Sequence, residues 1–208
     1  MKLYSSVKGL GIAEQTIEKS KFICYVAPCS SKEEADNFVM EIRKKHKDAT
    51  HNVPAMVIGD KMQIQWASDD GEPQGTSGAP IVQMLVNMGL TNIVVVVTRY
   101  FGGIKLGPGG LVRAYTTSAQ MGVEKAIPCD IIEAREIEYE IDYSFLAKMQ
   151  NHAGDLYTID SIDYAEKVCI HAVFLPEDED KVMSIFKDIT SASGKIKKTS
   201  KKLLTKPK

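Results

Sequence analysis

The amino-acid sequence predicts an α+β protein built as two domains. Three observations carry that reading. Short strand-like runs alternate with apolar stripes at helical spacing, so both periods occur in each half. Pro128-Cys129-Asp130 interrupts the pattern, which places a boundary there and gives domains 1–130 and 131–208. Beyond it the elements run β-α-β-β-α-β, the order of the ferredoxin-like split βαβ unit.

Taken in order, residues 15–29 read as one strand with polar edges. Ser31 with Glu34 makes a capping box, and Ala35, Phe38, Val39 and Ile42 form the stripe of the helix that follows. Arg43, Lys44, Lys45 and Lys47 suit its C-terminus through the helix dipole. Val53–Ile58 and Met62–Trp66 read as a hairpin around Gly59-Asp60. After a loop at 68–76, Pro80 to Met88 reads as an apolar helix that Gly89 can end. Ile93–Val97 is a buried central strand. A glycine-rich loop leads to a helix beginning near Gly109 or Gly110, with Leu111, Tyr115, Ala119, Gly122 and Ala126 on one face. Their small size predicts close packing on a sheet.

In the second domain Ile132–Tyr143 alternates as a strand, and Ser144 caps a helix carrying Leu146, Met149, Ala153 and Leu156. Thr158–Tyr164 and Val168–Leu175 make a hairpin. Pro176 opens a helix with an acidic first turn and Val182, Ile185, Phe186 and Ile189 inward. Lys195–Leu204 is the last strand.

Composition narrows the function classes. Hydrophobic content of 44% and charged content of 25% are those of a soluble globular chain. No apolar run approaches a membrane span, and the N-terminus lacks the apolar core of a signal peptide, so cytoplasmic residence without a membrane partner is expected. Cys24, Cys29, Cys129 and Cys169 match no common zinc spacing, so neither a structural metal nor a cofactor is expected. A net charge of −1 makes the whole molecule no magnet for nucleic acid. Charge is local: seven lysines and no acids lie between Lys195 and Lys208, against four acids at 177–180. The lysines read as a Lys-rich tail and a secondary contact.

Nine of the chain's 15 glycines lie between Ser68 and Tyr115. Glycine costs backbone entropy, so such density marks tight turns or close approach of a backbone or ligand. Gly102, Gly103, Gly107, Gly109 and Gly110 are interleaved with Arg99, Lys105 and Arg113. Exposed N–H groups beside cations make an anion site. The spacing fits neither a Walker loop nor a dinucleotide fingerprint. A tight strand-to-helix connection explains the same glycines without a ligand.

The runs Asp70-Gly-Glu-Pro-Gln-Gly-Thr-Ser-Gly-Ala-Pro80 and Thr98-Arg-Tyr-Phe-Gly-Gly-Ile-Lys-Leu-Gly-Pro-Gly-Gly-Leu-Val-Arg-Ala-Tyr115 resemble the YigZ/IMPACT family. The resemblance covers nearly the whole chain. It implies an N-terminal fold like ribosomal protein S5 domain 2. It also implies a ferredoxin-like C-terminal domain similar to domain V of elongation factor G. Both folds recur in ribosomal proteins and translation factors, and eukaryotic members are associated with translational control. The implied role is a translation regulator that binds RNA, the ribosome or a translation factor. The family signature supplies no catalytic residues. After Thr50-His51-Asn52 this chain has Val53-Pro54, where bacterial relatives often carry a cysteine or an aromatic residue.

The surface expected to bind is therefore Arg99, Tyr100, Lys105 and Arg113 with the 102–110 glycines. Tyr100-Phe101 can stack on unpaired bases or plug the sheet end. The alternative is an enzyme or binding protein for a phosphorylated metabolite or nucleotide at the same anion site, with Asp70 and Glu72 as its carboxylates. Asp69, Asp70 and Glu72 are equally suited to capping loop N–H groups or pairing with Arg99 or Arg113. A triad of His51, Asp70 and Ser77 has no nucleophile-elbow context to support it.

Overall fold

The computed structural model describes residues 2–207. The protein is mixed α/β with antiparallel sheets, and it divides into two compact units, Leu3–Ile131 and Ile132–Leu204. No described helix is long and apolar enough to cross a membrane.

The first unit is organised by a five-stranded sheet. In chain order its strands are β2 (Gly11–Ile17), β3 (Ser20–Pro28), β4 (His51–Ile58), β5 (Ile64–Ala67) and β6 (Ile93–Tyr100). The spatial order is β2-β3-β6-β4-β5, and every pairing is antiparallel. Before them comes β1 (Lys2–Val7), which pairs with β7 (Pro128–Ile141). Three helices cover the sheet: α1 (Lys32–Lys45), α2 (Gly78–Asn87) and α3 (Gly107–Lys125).

Because side chains alternate along a strand, the central β6 feeds two cores. Ile93, Val95 and Val97 pack with Leu85 of α2 and Leu111, Tyr115 and Ala119 of α3. Val94 and Val96 pack with Ala35, Val39 and Ile42 of α1. This double burial is why β6 reads as an unbroken apolar run.

The strand read across residues 15–29 is in fact a hairpin. Glu18 and Lys19 take φ of 45° and 64°, and Ile17 pairs with Ser20 across them. Two residues with positive φ form the tight turn whose twist matches paired strands. Neither is Gly, Asn or Asp, so the usual turn signal is missing. α2 starts at Gly78, two residues before Pro80, and α3 starts at Gly107. The capping box at Ser31 is present: its Oγ accepts from Glu34 N at 3.2 Å, and Glu34 Oε2 accepts from Ser30 N at 2.7 Å, one residue earlier than the simple motif.

In the second unit the order is β7, α4 (Tyr143–His152), β8 (Tyr157–Tyr164), β9 (Val168–Phe174), α5 (Glu179–Thr190) and β10 (Lys195–Pro207). The sheet places β9 between β7 and β8, and β10 pairs with β7. Asp142, not Ser144, occupies the N-cap of α4, and Pro176 opens a short 3-10 turn that precedes α5. Met149, Val182 and Phe186 press on Ile137, Tyr139, Ile170 and Phe174.

The small-residue face of α3 lies directly on the sheet. A Cβ at Gly122 would stand 2.4 Å from Cys24 Sγ and 2.9 Å from Val26 Cγ2. Gly122→Val should therefore destabilise the first unit by about 1–3 kcal/mol through overpacking, measured as a lower urea midpoint at unchanged slope. An unchanged midpoint would refute this account of the contact.

Candidate functional site

Arg99 is the penultimate residue of β6 and continues the Val95–Val97 face inward. It is 4% exposed. Its Nη1 donates to Glu72 Oε1 at 2.7 Å and its Nη2 to Ser20 Oγ at 3.2 Å. The guanidinium carbon lies 5.4 Å from the Phe22 ring centre and 5.3 Å from that of Phe101. Tyr115 Oη donates to the same Glu72 Oε1 at 2.6 Å, and His51 Nε2 stands 3.7 Å from it. Burial, first, and the bond to Glu72 hold the Tyr115 hydroxyl far above its usual ionisation range.

The loop between β5 and α2 is what holds Glu72 in place. Asp69 accepts from the N–H groups of Gly75, Ser77 and Gly78 and from Ser77 Oγ, so it caps the start of α2 from outside. Burial opposes ionisation of Asp69, but these four bonds keep its carboxyl below the ordinary range. Asp70 has φ of 49°, accepts from Arg43 Nη2 at 2.8 Å and from Asn52 N at 2.6 Å, and offers its carbonyl to His51 Nδ1 at 2.8 Å. A carbonyl only accepts, so His51 Nδ1 donates to it, and Nε2 faces Glu72.

These groups line a cleft of about 360 Å³. His51, Glu72 and Arg99 supply its polar part; Phe101, Leu106 and Pro108 are among its apolar lining, and Lys105 and Gly107 border it. α3 begins here. Its N-cap position, Leu106, offers no side-chain acceptor, so no side chain caps the helix. Gly107 enters with φ of 69°, a conformation that side chains disfavour. Gly102 serves close approach instead: a Cβ there would lie 2.0 Å from the Lys19 carbonyl carbon. Lys105, Gly110 and Arg113 border a neighbouring hollow of about 430 Å³. Lys105 and Arg113 are both exposed, and neither makes an ion pair or side-chain hydrogen bond among the described residues.

The structure thus separates the residues that the sequence grouped. Lys105, Arg113 and Gly107–Gly110 share one exposed surface at the start of α3. Arg99 lies beneath it, neutralised by Glu72. Tyr100 faces the other side of the sheet, where its hydroxyl meets His46 Nδ1 at 2.8 Å and Asp48 Oδ1 at 3.4 Å. Phe101 takes its place at the cleft. Of the two carboxylates proposed for catalysis, Glu72 lines the cleft and Asp70 is spent on the loop. Ser77 is fully buried against Asp69, so His51, Asp70 and Ser77 form no triad. Phe101, which the sequence offered only together with Tyr100 as a stacking pair or a plug, and His51, which it weighed only for a triad, both line the cleft.

Lys195, Lys197, Lys198, Lys201, Lys202 and Lys206 lie on β10, and Lys208 lies outside the described residues. Lys197, Lys198, Lys201 and Lys202 pair with Glu140, Glu138, Glu133 and Glu136 of β7 at 2.8, 3.6, 3.2 and 2.6 Å.

A family model for the Impact N-terminal domain matches residues 18–123, which include every cleft residue. The chain belongs to the YigZ/IMPACT family. It is 38% identical over 195 residues to the IMPACT family member YvyE of Bacillus subtilis, covering 93% of this chain and 90% of that protein. It is 47% identical over 103 residues to YigZ of Escherichia coli, covering 49% of this chain and 50% of that one. Protein IMPACT of Oryctolagus cuniculus is 31% identical over 115 residues, 53% of this chain and 36% of the rabbit protein. A crystal structure described as that of a hypothetical protein superposes with a TM-score of 0.61 at 30% identity, over 94% of this chain and 97% of that one.

Two outcomes follow from the geometry. Arg99→Met should cost about 3–5 kcal/mol by stranding Glu72, and pairing it with Glu72→Gln should recover part of the loss; equal losses in single and double variants would show that the pair is not the cause. His46 is buried between Tyr25 and Tyr100, and desolvation, ahead of the Lys45 charge, lowers its pKa from 6.5. The unfolded chain therefore takes the proton first. This contribution to stability is complete above pH 6.5 and is lost as pH falls toward the depressed pKa. His46→Gln should flatten urea stability between pH 7 and 5 relative to the parent; parallel pH curves would exclude His46 as the source.

Proposed function

We propose that this protein is a non-catalytic binding module that acts on translation by holding RNA, on the ribosome or with a translation factor, through the surface at the start of α3. One observation carries the reading: Lys105 and Arg113 are exposed cations that pair with no other described residue, one just before and one in the second turn of a 19-residue helix whose N-terminus no side chain caps. Free N–H groups, the helix dipole and unspent positive charge together favour phosphate. The lysines of β10 are the weaker candidate, because four of its six already face glutamates of β7.

Fold-level likeness supports this reading without assigning it. The second unit's strand order β10-β7-β9-β8 and its βαββαβ connectivity support reading it as a ferredoxin-like domain. The first unit is read as S5 domain 2-like.

A second reading, an enzyme or binding protein for a phosphorylated metabolite or nucleotide, is favoured by the cleft that encloses Glu72 and His51 beside the same cations. Co-sedimentation with ribosomes and bulk RNA across a salt series separates the two. Under the first reading binding saturates and weakens with salt, because each neutralised phosphate releases counterions. Lys105→Ala with Arg113→Ala should lower affinity and flatten the salt slope by about 1–2, while stability stays within about 0.5 kcal/mol of the parent. Absence of binding at low salt would overturn the RNA reading. A thermal-shift screen of nucleotides and phosphometabolites would then test the second.

A further inference from the structure

Two unlike walls meet in the cleft. One carries charge. Arg99 and Lys105 stand there against the single carboxylate of Glu72, so positive charge is in excess whatever the protonation of His51. Lys105 has no ion pair or side-chain hydrogen bond among the described residues, and no side chain caps the first turn of α3 beside it. The Arg99 side chain is 5% exposed; its Nη1 and Nη2 are bonded, but its Nε donor has no partner among the described residues. A buried donor without an acceptor is costly, so this wall suits an anion. The other wall is apolar, with Pro73, Phe101, Leu106 and Pro108. Phe101 is 45% exposed, yet its backbone is fixed. Its N–H donates to Thr50 Oγ1 at 3.1 Å, and the next N–H, that of Gly102, donates to Ser20 Oγ at 3.1 Å. The Arg99 guanidinium lies over the ring, 5.3 Å from its centre. A flat partner can therefore stack on this ring at little ordering cost. The volume of about 360 Å³ falls in the small-ligand range.

We infer that the cleft receives one unstacked nucleotide of single-stranded RNA, and that the protein binds single strands in preference to duplexes. The inference rests on the RNA-binding reading above and adds the strand form. A phosphate at Lys105 and the Gly107 end of α3 is open to either form, since both carry their phosphates outside. The ring of Phe101 is not. In a duplex the faces of every internal base are covered by its neighbours, and the A-form major groove is too narrow for side chains to read. An unpaired base can leave the stack and lie on an aromatic ring. Ring and charged wall border one cleft of small-ligand size. A nucleotide held at its phosphate thus brings its own base, or its neighbour's, to Phe101. Stacking accepts every base, so the selection is for strand form and not for sequence.

The test is the affinity of the full chain for a twelve-nucleotide RNA of mixed sequence and for its duplex, at one moderate salt concentration. The parent, Phe101→Ala, Phe101→Leu, Phe101→Tyr and the Lys105→Ala/Arg113→Ala variant are compared, with folding checked by circular dichroism. The parent should bind the single strand about tenfold more tightly than the duplex. Phe101→Ala should bring that ratio toward one by weakening the single strand alone. Phe101→Leu keeps an apolar side chain without a ring and should do the same; it carries the test where the alanine variant does not fold. Phe101→Tyr keeps the ring and should keep the ratio. The Lys105/Arg113 variant should weaken both forms. Equal affinity of the parent for both forms would overturn the insertion of a nucleotide and leave the phosphate surface standing. A ratio that survives in Phe101→Ala and Phe101→Leu would overturn its assignment to this cleft. No binding of either form would overturn the RNA reading itself, and this inference with it.

Discussion

A buried ion pair organises the working face of the first unit. Arg99 and Glu72 meet at 2.7 Å with side chains 5% and 4% exposed. Removing two charges from water costs several kcal/mol per ion, so their attraction alone is a poor source of stability. What completes the pair is its surroundings. Tyr115 brings a donor from α3, Ser20 an acceptor from β3, and Phe22 and Phe101 rings flank the guanidinium. The pair therefore fixes the relative placement of β6, β3, α3 and the loop before α2. The cleft is the space those elements leave when they converge on one guanidinium.

That convergence explains which parts of the site were legible in the sequence. The fold's periodic parts were: the double-faced β6, the helix stripes and the βαββαβ order are statements about local spacing, and local spacing is what a sequence records. Arg99 was legible in principle, since counting by two from Val95 and Val97 lands on it and puts it inside. Its charge and its glycine neighbours suggested the surface instead. Tyr100 was misplaced for the same reason, because one residue further along a strand is the opposite face. The turn at Glu18-Lys19 left no signal, since its positive φ is imposed by strand pairing without a residue that favours it. Long-range partners such as Ser20 with Arg99, or Asp70 with His51, cannot be read from spacing at all.

Charge follows the same logic of partners over counts. The C-terminal lysines dominate any sequence-level map of positive charge, yet β10 lies beside the glutamate-bearing face of β7, and four of its lysines are drawn to carboxylates there. Each such exposed pair contributes little to stability. Its effect is on the field, which it cancels at short range. Lys105 and Arg113 are only two cations, but theirs is unspent charge beside an uncapped helix. Two free cations at a helix N-terminus outweigh several neutralised ones for a phosphate that has to be held at a defined point.

The choice between binding and catalysis turns on what surrounds His51. An imidazole oriented by a carbonyl is half of a general-base device; the other half is a nucleophile to activate. Thr50 Oγ1, at the rim, accepts from Phe101 N at 3.1 Å and holds the turn. Ser20 Oγ receives Arg99 Nη2 and Gly102 N, and Ser77 Oγ gives its proton to Asp69. Cys24 and Cys29 lie buried, and desolvation pushes their thiols up, Cys29 to about 12. Every one of these hydroxyls and thiols is occupied or sealed by the fold. The groups left facing the cleft are Glu72, His51 and Lys105.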